Sequence, residues 1–159
     1  MEDAAVSGIA FDRKQAKISI VDIPDRPGVA AKVFSALGKA GINVDMIIQS
    51  EASDKKNDIS FTVSEGDVKK ALSALRPVKR ALEAYDLVAN KNVGKVAVVG
   101  VGMRSHSGVA SKMFQALADA KINIQMISTS EIKISCVISR DHVDQAVKVL
   151  HKTFGLDKK

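Results

Sequence analysis

Aromatic residues are scarce in this 159-residue sequence, which has no tryptophan, one tyrosine and five phenylalanines. Proteins that bind single-stranded nucleic acid stack the bases on aromatic side chains, and few such platforms exist here. The net charge is +6, but the 24 lysines and arginines are spread along the chain and do not form one basic block. We therefore expect no nucleic-acid partner.

Cysteine is nearly absent as well, because Cys136 is the single one. It cannot form an internal disulfide, it has no neighbour at metal-ligand spacing, and it lies in an alternating run at residues 132–138 that is typical of a buried strand. This usage fits a reducing, cytoplasmic location. No run reaches the roughly 18 apolar residues that cross a bilayer, and the acidic N-terminus lacks the apolar core of a signal peptide. We therefore expect a soluble protein without a membrane partner.

Residues suited to catalysis are also few. Of the three histidines, His106 lies beside Ser105 in a predicted loop, and no acidic residue stands at a spacing that identifies an orienting partner. The phosphate-binding pattern GxxxxGK(S/T) does not occur, and the dinucleotide fingerprint that begins at Gly100 fails at Ser105. The sequence shows no group of residues at the spacing of metal ligands. We expect no catalytic residue and no metal in this chain.

The most informative feature is an internal repeat. A shift of 80 positions places residues 28–51 on residues 108–131 without a gap, and 14 of these 24 positions are identical. The identical residues include glycine, asparagine and core-type apolar residues. The chain therefore uses one structural unit twice.

Hydrophobic periodicity predicts the elements of each unit. In the first unit they are a strand at 17–23, a turn at 24–28, a helix that ends at Gly41, strands at 42–50 and 59–63, a helix from Val68 and a weaker strand at 85–89. This β-α-β-β-α-β order predicts an α+β fold of the ferredoxin-like type, in which two helices cover one face of an antiparallel four-stranded sheet.

The second unit follows the same plan but ends before a fourth strand. The apolar run at residues 6–11 has no place in the first unit, and we expect it to complete the second sheet. The first module, residues 15–90, is then inserted in the second, residues 4–12 plus 94–157. The alternative is a frayed N-terminal tail.

Several motifs resemble those of a known family. Residues 23–30 (IPDRPGVA) resemble the loop that opens ACT modules, and residues 43–49 (NVDMIIQ) resemble strand two of the first ACT module of aspartate kinases. In the second unit, residues 100–110 (GVGMRSHSGVA) and 123–135 (NIQMISTSEIKIS) resemble the matching loop and strands of their second module. The resemblance covers nearly the whole chain.

The resemblance implies a regulatory role. Aspartate kinases sense the end products L-lysine, L-threonine or both through tandem ACT modules, whose ligands bind where two modules meet, so a homodimer is expected. ATP and magnesium would bind the kinase catalytic domain or subunit, which is a partner and is not part of this chain, and no cofactor is expected here. The alternative is an ACT-type amino-acid sensor of another pathway or of a transcriptional regulator.

An amino-acid ligand needs partners for its carboxylate and its ammonium group. Backbone N–H groups at a helix start suit the carboxylate, and the start at Gly28, Val29 and Ala30 provides them. Carboxylates or amides suit the ammonium group; the candidates are Asp25, Asn43, Asp45 and Gln49, of which the last three are predicted on one strand face. They could equally be the solvated side of a half-buried sheet.

The resemblance completes this set of candidate residues. It adds Pro27 and Val44 in the first module, and Asn123 and Ile124 of the second module as the facing wall, often from a partner chain. In the second module Ser105, Gln125 and Thr129 replace Asp25, Asp45 and Gln49. We therefore expect the first module to hold the effector.

Overall fold

The computed structural model describes residues 5–51, 54–101 and 107–157, in which helices and strands follow the predicted order. The elements are β1 (Ala5–Pro24), α1 (Val29–Lys39), β2 (Ile47–Glu51), β3 (Lys56–Ser64), α2 (Val68–Leu82), β4 (Asp86–Val101), α3 (Ser107–Asp119), β5 (Met126–Thr129), β6 (Lys133–Ser139) and α4 (Val143–Thr153). Short 3-10 turns precede α2 and α4. No helix in the described ranges is long and apolar enough to cross a membrane.

The chain forms two compact units. The first module comprises residues 14–91, and the second comprises residues 1–13 and 92–159. Strand β1 supplies residues 14–24 to the first module and 5–13 to the second, and β4 supplies residues 86–91 and 92–101 in the same way. The sequence predicts two short strands, at 6–11 and 17–23, where the structure has the single strand β1.

The first module has the strand order β2-β3-β1-β4. β3 pairs antiparallel with both β1 and β2, with Ile18 opposite Phe61 and Ile47 opposite Phe61. The core forms between one sheet face and the two helices, because the apolar side chains of the strands alternate and those of the helices recur every three or four residues. Its buried members include Ile18, Phe61, Val33, Leu37 and Leu75.

The second module has the strand order β1-β4-β6-β5, in which β6 pairs antiparallel with β4 and β5. Its core contains Val96, Val98, Met113, Leu117 and Leu150. Val6 and Ile9 of the N-terminal run pack against this core. Both modules therefore have the α+β architecture of antiparallel strands and covering helices that the repeat predicts.

Helices α1 and α3 end with the same pair of backbone hydrogen bonds. After α1, Gly41 has a φ of 74° and donates to the Gly38 carbonyl, and the Ile42 N–H donates to the Leu37 carbonyl. These two bonds form a Schellman motif. Gly41 thus ends the helix as predicted.

The second strand of each module starts later than the alternation predicts. The predicted strand at 42–50 is observed only from Ile47, and its counterpart at 122–130 only from Met126 to Thr129. In the first module the late start is explained by the hydrogen bonds of Thr62 on β3. The Asp45 N–H donates to the Thr62 carbonyl, and the Thr62 N–H donates to the Met46 carbonyl. Two residues thus face one, as in a β-bulge, and regular pairing begins only after them.

Candidate functional site

Helix α1 of the first module starts at an exposed, uncapped end. Gly28 stands at the N-cap with a φ of 93°, a left-handed conformation that glycine adopts without strain. Among the described residues, no side chain caps the helix, and the Lys32 N–H is bonded to the Gly28 carbonyl. The N–H groups of the first turn have no partner within a helix, and Pro27, Gly28 and Ala30 are exposed while Val29 is buried. This geometry suits an anionic group such as a carboxylate.

Asp25 anchors the loop that leads into this helix. Its Oδ1 accepts a hydrogen bond from Asn57 Nδ2 at 3.0 Å, and its N–H donates to the Lys55 carbonyl at 3.0 Å. Asn57 is only 5% exposed. The carboxylate thus has a structural role at the turn. Sequence reasoning missed Asn57 because it lies between the strands predicted at 42–50 and 59–63, and only long-range strand pairing brings it to Asp25.

Asn43, Val44 and Asp45 lie in the irregular segment before β2. Asn43 and Asp45 are exposed, and Val44 packs against the core of the first module. The Thr62 hydroxyl, which is fully buried, accepts the Met46 N–H at 3.0 Å and fixes the end of this segment. The three candidates are therefore presented at the start of the strand and not on it.

Gln49 is the candidate that lies within β2. It pairs with Ile59, whose side chain belongs to the core. Residues directly opposite each other in a sheet point to the same face, so Gln49 projects on the helix-covered side at the open edge of the sheet. The prediction that Asn43, Asp45 and Gln49 share one strand face is wrong, because the bulge at Asp45 and Met46 interrupts the alternation.

Strand register separates the candidates into two groups. Asp25 is bonded to Asn57, whereas Asp45 pairs at Thr62, five residues along β3. At about 3.3 Å per residue this corresponds to roughly 17 Å. Gln49 pairs at Ile59, two residues or about 7 Å from Asn57. One module thus brings Gln49 to the end of the sheet that carries Asp25 and Gly28, and it places Asn43 and Asp45 toward the other end.

The second module repeats this arrangement with different side chains. Asn123 is exposed, Ile124 packs against the second core, and the Gln125 N–H donates to the Val137 carbonyl at 2.8 Å. Met126 also pairs with Val137, so two residues again face one. The predicted loop residues Ser105 and His106 lie outside the described residues.

No group of three or more metal-ligating side chains occurs in the described part of the chain. Cys136 is buried, and desolvation raises the pKa of its thiol to about 12. At neutral pH the thiol stays protonated and packs as a small apolar side chain. The candidate site is therefore one for binding through backbone N–H groups and neutral or acidic side chains.

Known proteins share this architecture and sequence. A family model described as an ACT domain matches residues 18–77 and 96–154. The aspartate kinase of Stutzerimonas stutzeri (strain A1501) is 49% identical over 157 residues, which cover 99% of this chain and 38% of that protein. The chain thus spans less than half the length of the curated relatives it matches.

Solved structures match over nearly the whole chain. The regulatory subunit of aspartate kinase from Thermus thermophilus, in a ligand-free form, is 42% identical with a TM-score of 0.90, and the match covers 94% of this chain and 99% of that one. A crystal structure of aspartokinase alpha and beta subunits contains a chain that is 48% identical with a TM-score of 0.88, covering 95% and 99%. The chain therefore belongs to the ACT domain family and corresponds to the regulatory ACT segment of the aspartate kinases.

Proposed function

We propose that this chain is the effector-binding part of an aspartate kinase. It binds L-lysine, L-threonine or both in the cytoplasm and lowers kinase activity by feedback inhibition. Effector binding favours one arrangement of paired modules that disfavours the active kinase, and such coupling is typically on the order of 1–3 kcal/mol.

The observation that carries this proposal is the start of α1. Gly28 opens an exposed helix end that no described side chain caps, so the first-turn N–H groups are available to a ligand. Backbone N–H groups of this kind bind a carboxylate through hydrogen bonds and the helix dipole. The absence of a Cβ at Gly28 lets the ligand approach the backbone closely.

The ammonium group of the effector needs a second set of contacts. Gln49 lies toward the same end of the sheet, at its edge, and offers an amide oxygen. Asn123 and Ile124 complete the wall in our proposal, contributed by a second copy of the chain. In a two-fold pair, β2 of one copy can run antiparallel to β5 of the other. Asn123 and Ile124, which precede β5, then lie beside the later residues of β2, where Gln49 is found.

Exposed apolar side chains on the edge strands support pairing of two copies. Ile47 on β2 is 53% exposed and Ile127 on β5, its counterpart in the repeat, is 42% exposed. Each strand stands at one end of the strand order and pairs on one side only with the strands that the structure describes. Such edges favour addition of another strand.

Lysine is the first ligand to test. Aspartokinase III of E. coli has been crystallised with lysine and aspartate and is 22% identical to this chain, with a TM-score of 0.72 over 94% of this chain and 33% of that one. At this identity the likeness shows the fold alone, so threonine is tested in parallel.

The test is thermal unfolding of the purified chain with lysine and threonine, singly and together, and with methionine, isoleucine and valine as comparisons. A ligand of the folded state at 100 times its Kd adds about 2.7 kcal/mol to stability and raises the Tm. We expect this rise with lysine, threonine or both.

Gln49→Ala should weaken the effect, and Ser50→Ala is the matched control. Ser50 is the next residue on β2 and is also exposed, but it pairs with Asp58 and projects to the other sheet face. Absence of any Tm shift with both amino acids would overturn the proposed function. An equal loss in both variants would remove Gln49 from the site.

A further inference from the structure

A cleft with three cationic side chains lies between α2 and the start of β4. It has a volume of about 370 Å³ and is lined by Leu72, Arg76, Lys79, Arg80, Asp86 and Leu87. The two leucines pack against the core of the first module and form an apolar floor. The volume falls within the range of small-ligand sites.

The lining of the cleft has a net positive charge. Among the described residues, no ion pair involves Arg76, Lys79 or Arg80. Asp86 is the one carboxylate in the lining, and its Oδ1 accepts the N–H of Leu87 at 2.8 Å. The lining therefore carries three positive charges against one negative charge.

The clustering of cations lowers the stability of α2 in the isolated chain. Arg76 and Arg80 are four residues apart on α2, and like charges at this spacing destabilise a helix. The helix dipole accounts for cations in the last turn, where Lys79 and Arg80 lie, but not for Arg76. The whole of α2 carries five cations and no acidic residue.

The second module provides an internal comparison. The 3-10 turn and helix α4 correspond to those of the first module at a shift of 75 positions. At this shift His151, Phe154 and Gly155 stand where the first module has Arg76, Lys79 and Arg80. The cationic cleft is therefore particular to the first module and is not required by the fold.

We propose that this cleft binds a phosphate-class oxyanion, free or carried on a small molecule. Arginine guanidinium groups bind phosphate oxygens in pairs, and Lys79 adds a point charge. The apolar floor of Leu72 and Leu87 accommodates a carrier group beside the anion. None of the six lining residues belongs to the candidate effector site, so this proposal does not depend on the effector assignment.

The test is an NMR titration of the ¹⁵N-labelled chain with inorganic phosphate, pyrophosphate and ATP, each at constant ionic strength with sodium chloride. We expect saturable shifts of the amides of Arg76, of residues 78–80, and of Asp86 and Leu87. Similar affinity for all three probes identifies the free anion as sufficient. Tighter binding of ATP identifies a phosphoryl group on a larger carrier.

Two variants with the same change of charge separate a site from general attraction. Arg76→Gln with Arg80→Gln should weaken binding at least tenfold. Lys69→Gln with Lys70→Gln removes two cations of the same helix outside the cleft and should change binding by less than twofold. Equal weakening by both pairs, or no saturable shift with any probe, would overturn the proposal, whatever the response to lysine and threonine.

Discussion

At the residue scale, the two modules place different residues at the same position after a helix, where the backbone has a positive φ. Gly41 and Lys121 both follow a helix and both adopt positive φ, 74° and 62°. In the second module the Lys121 N–H donates to the Ala118 carbonyl, and the Ile122 N–H donates to the Leu117 carbonyl. The motif thus forms with a lysine as well, but a side chain with a Cβ is strained in this conformation.

Lys121→Gly should therefore stabilise the protein by about 1 kcal/mol, because relief of left-handed strain exceeds the added entropy of the unfolded chain. The reciprocal variant Gly41→Ala should destabilise it by a similar amount. In the described part of the chain, no atom beyond the neighbouring residues lies within 4 Å of a Cβ built on Gly41, so the loss of stability comes from the backbone conformation. Urea unfolding of both variants measures the two free energies, and a destabilising Lys121→Gly would contradict the explanation.

At the scale of elements, a buried hydroxyl supports the start of β2 in the first module. Thr62 is fully buried and accepts the Met46 N–H where Asp45 and Met46 face one residue of β3. The second module has Val137 at the corresponding place, so this side-chain bond is particular to the first module. In the first module it adds a side-chain hydrogen bond to the backbone hydrogen bonds at the end of the irregular segment with Asn43 and Asp45.

Thr62→Val should lower the free energy of unfolding by about 1–3 kcal/mol, because the isosteric side chain leaves the buried Met46 N–H without its acceptor. Thr62→Ser keeps the hydroxyl and loses one methyl group, which costs about 1 kcal/mol. Hydrogen exchange distinguishes the two: the Met46 amide should exchange faster in the valine variant and at the wild-type rate in the serine variant. Unchanged exchange in both would mean that another group holds this amide.

At the scale of the whole molecule, the edge strands determine how copies associate in our proposal. Ile47 and Ile127 occupy equivalent positions of the repeat and remain exposed at β2 and β5. In water such side chains favour burial, at about 25 cal/mol per Å² of apolar surface. The effector site as we propose it also requires the second copy.

Ile47→Lys with Ile127→Lys should convert a dimer to monomers in sedimentation velocity experiments and abolish the Tm shift with the effector. Tyr85→Lys is the control, since Tyr85 is 75% exposed and precedes β4. A wild-type chain that sediments as a monomer at all concentrations, with or without lysine and threonine, would rule out the dimer.

The sequence by itself determined the repeat, the helices and the start of the candidate site. The apolar faces of α1 and α2 and the glycines at positions 28 and 41 could be predicted because helix periodicity and turn preferences depend on neighbours in the chain. The two modules followed from the identity of residues 28–51 with 108–131.

Only the tertiary structure decided which candidates lie together. It bonds Asp25 to Asn57, interrupts the alternation at Asp45, and places Gln49 toward the Asp25 end of the sheet. It also continues β1 through the polar residues 12–15, where Gln15 pairs with Ser64. These features depend on hydrogen bonds between strands that are distant in sequence, and the register of such strands is fixed by the packing of the whole sheet.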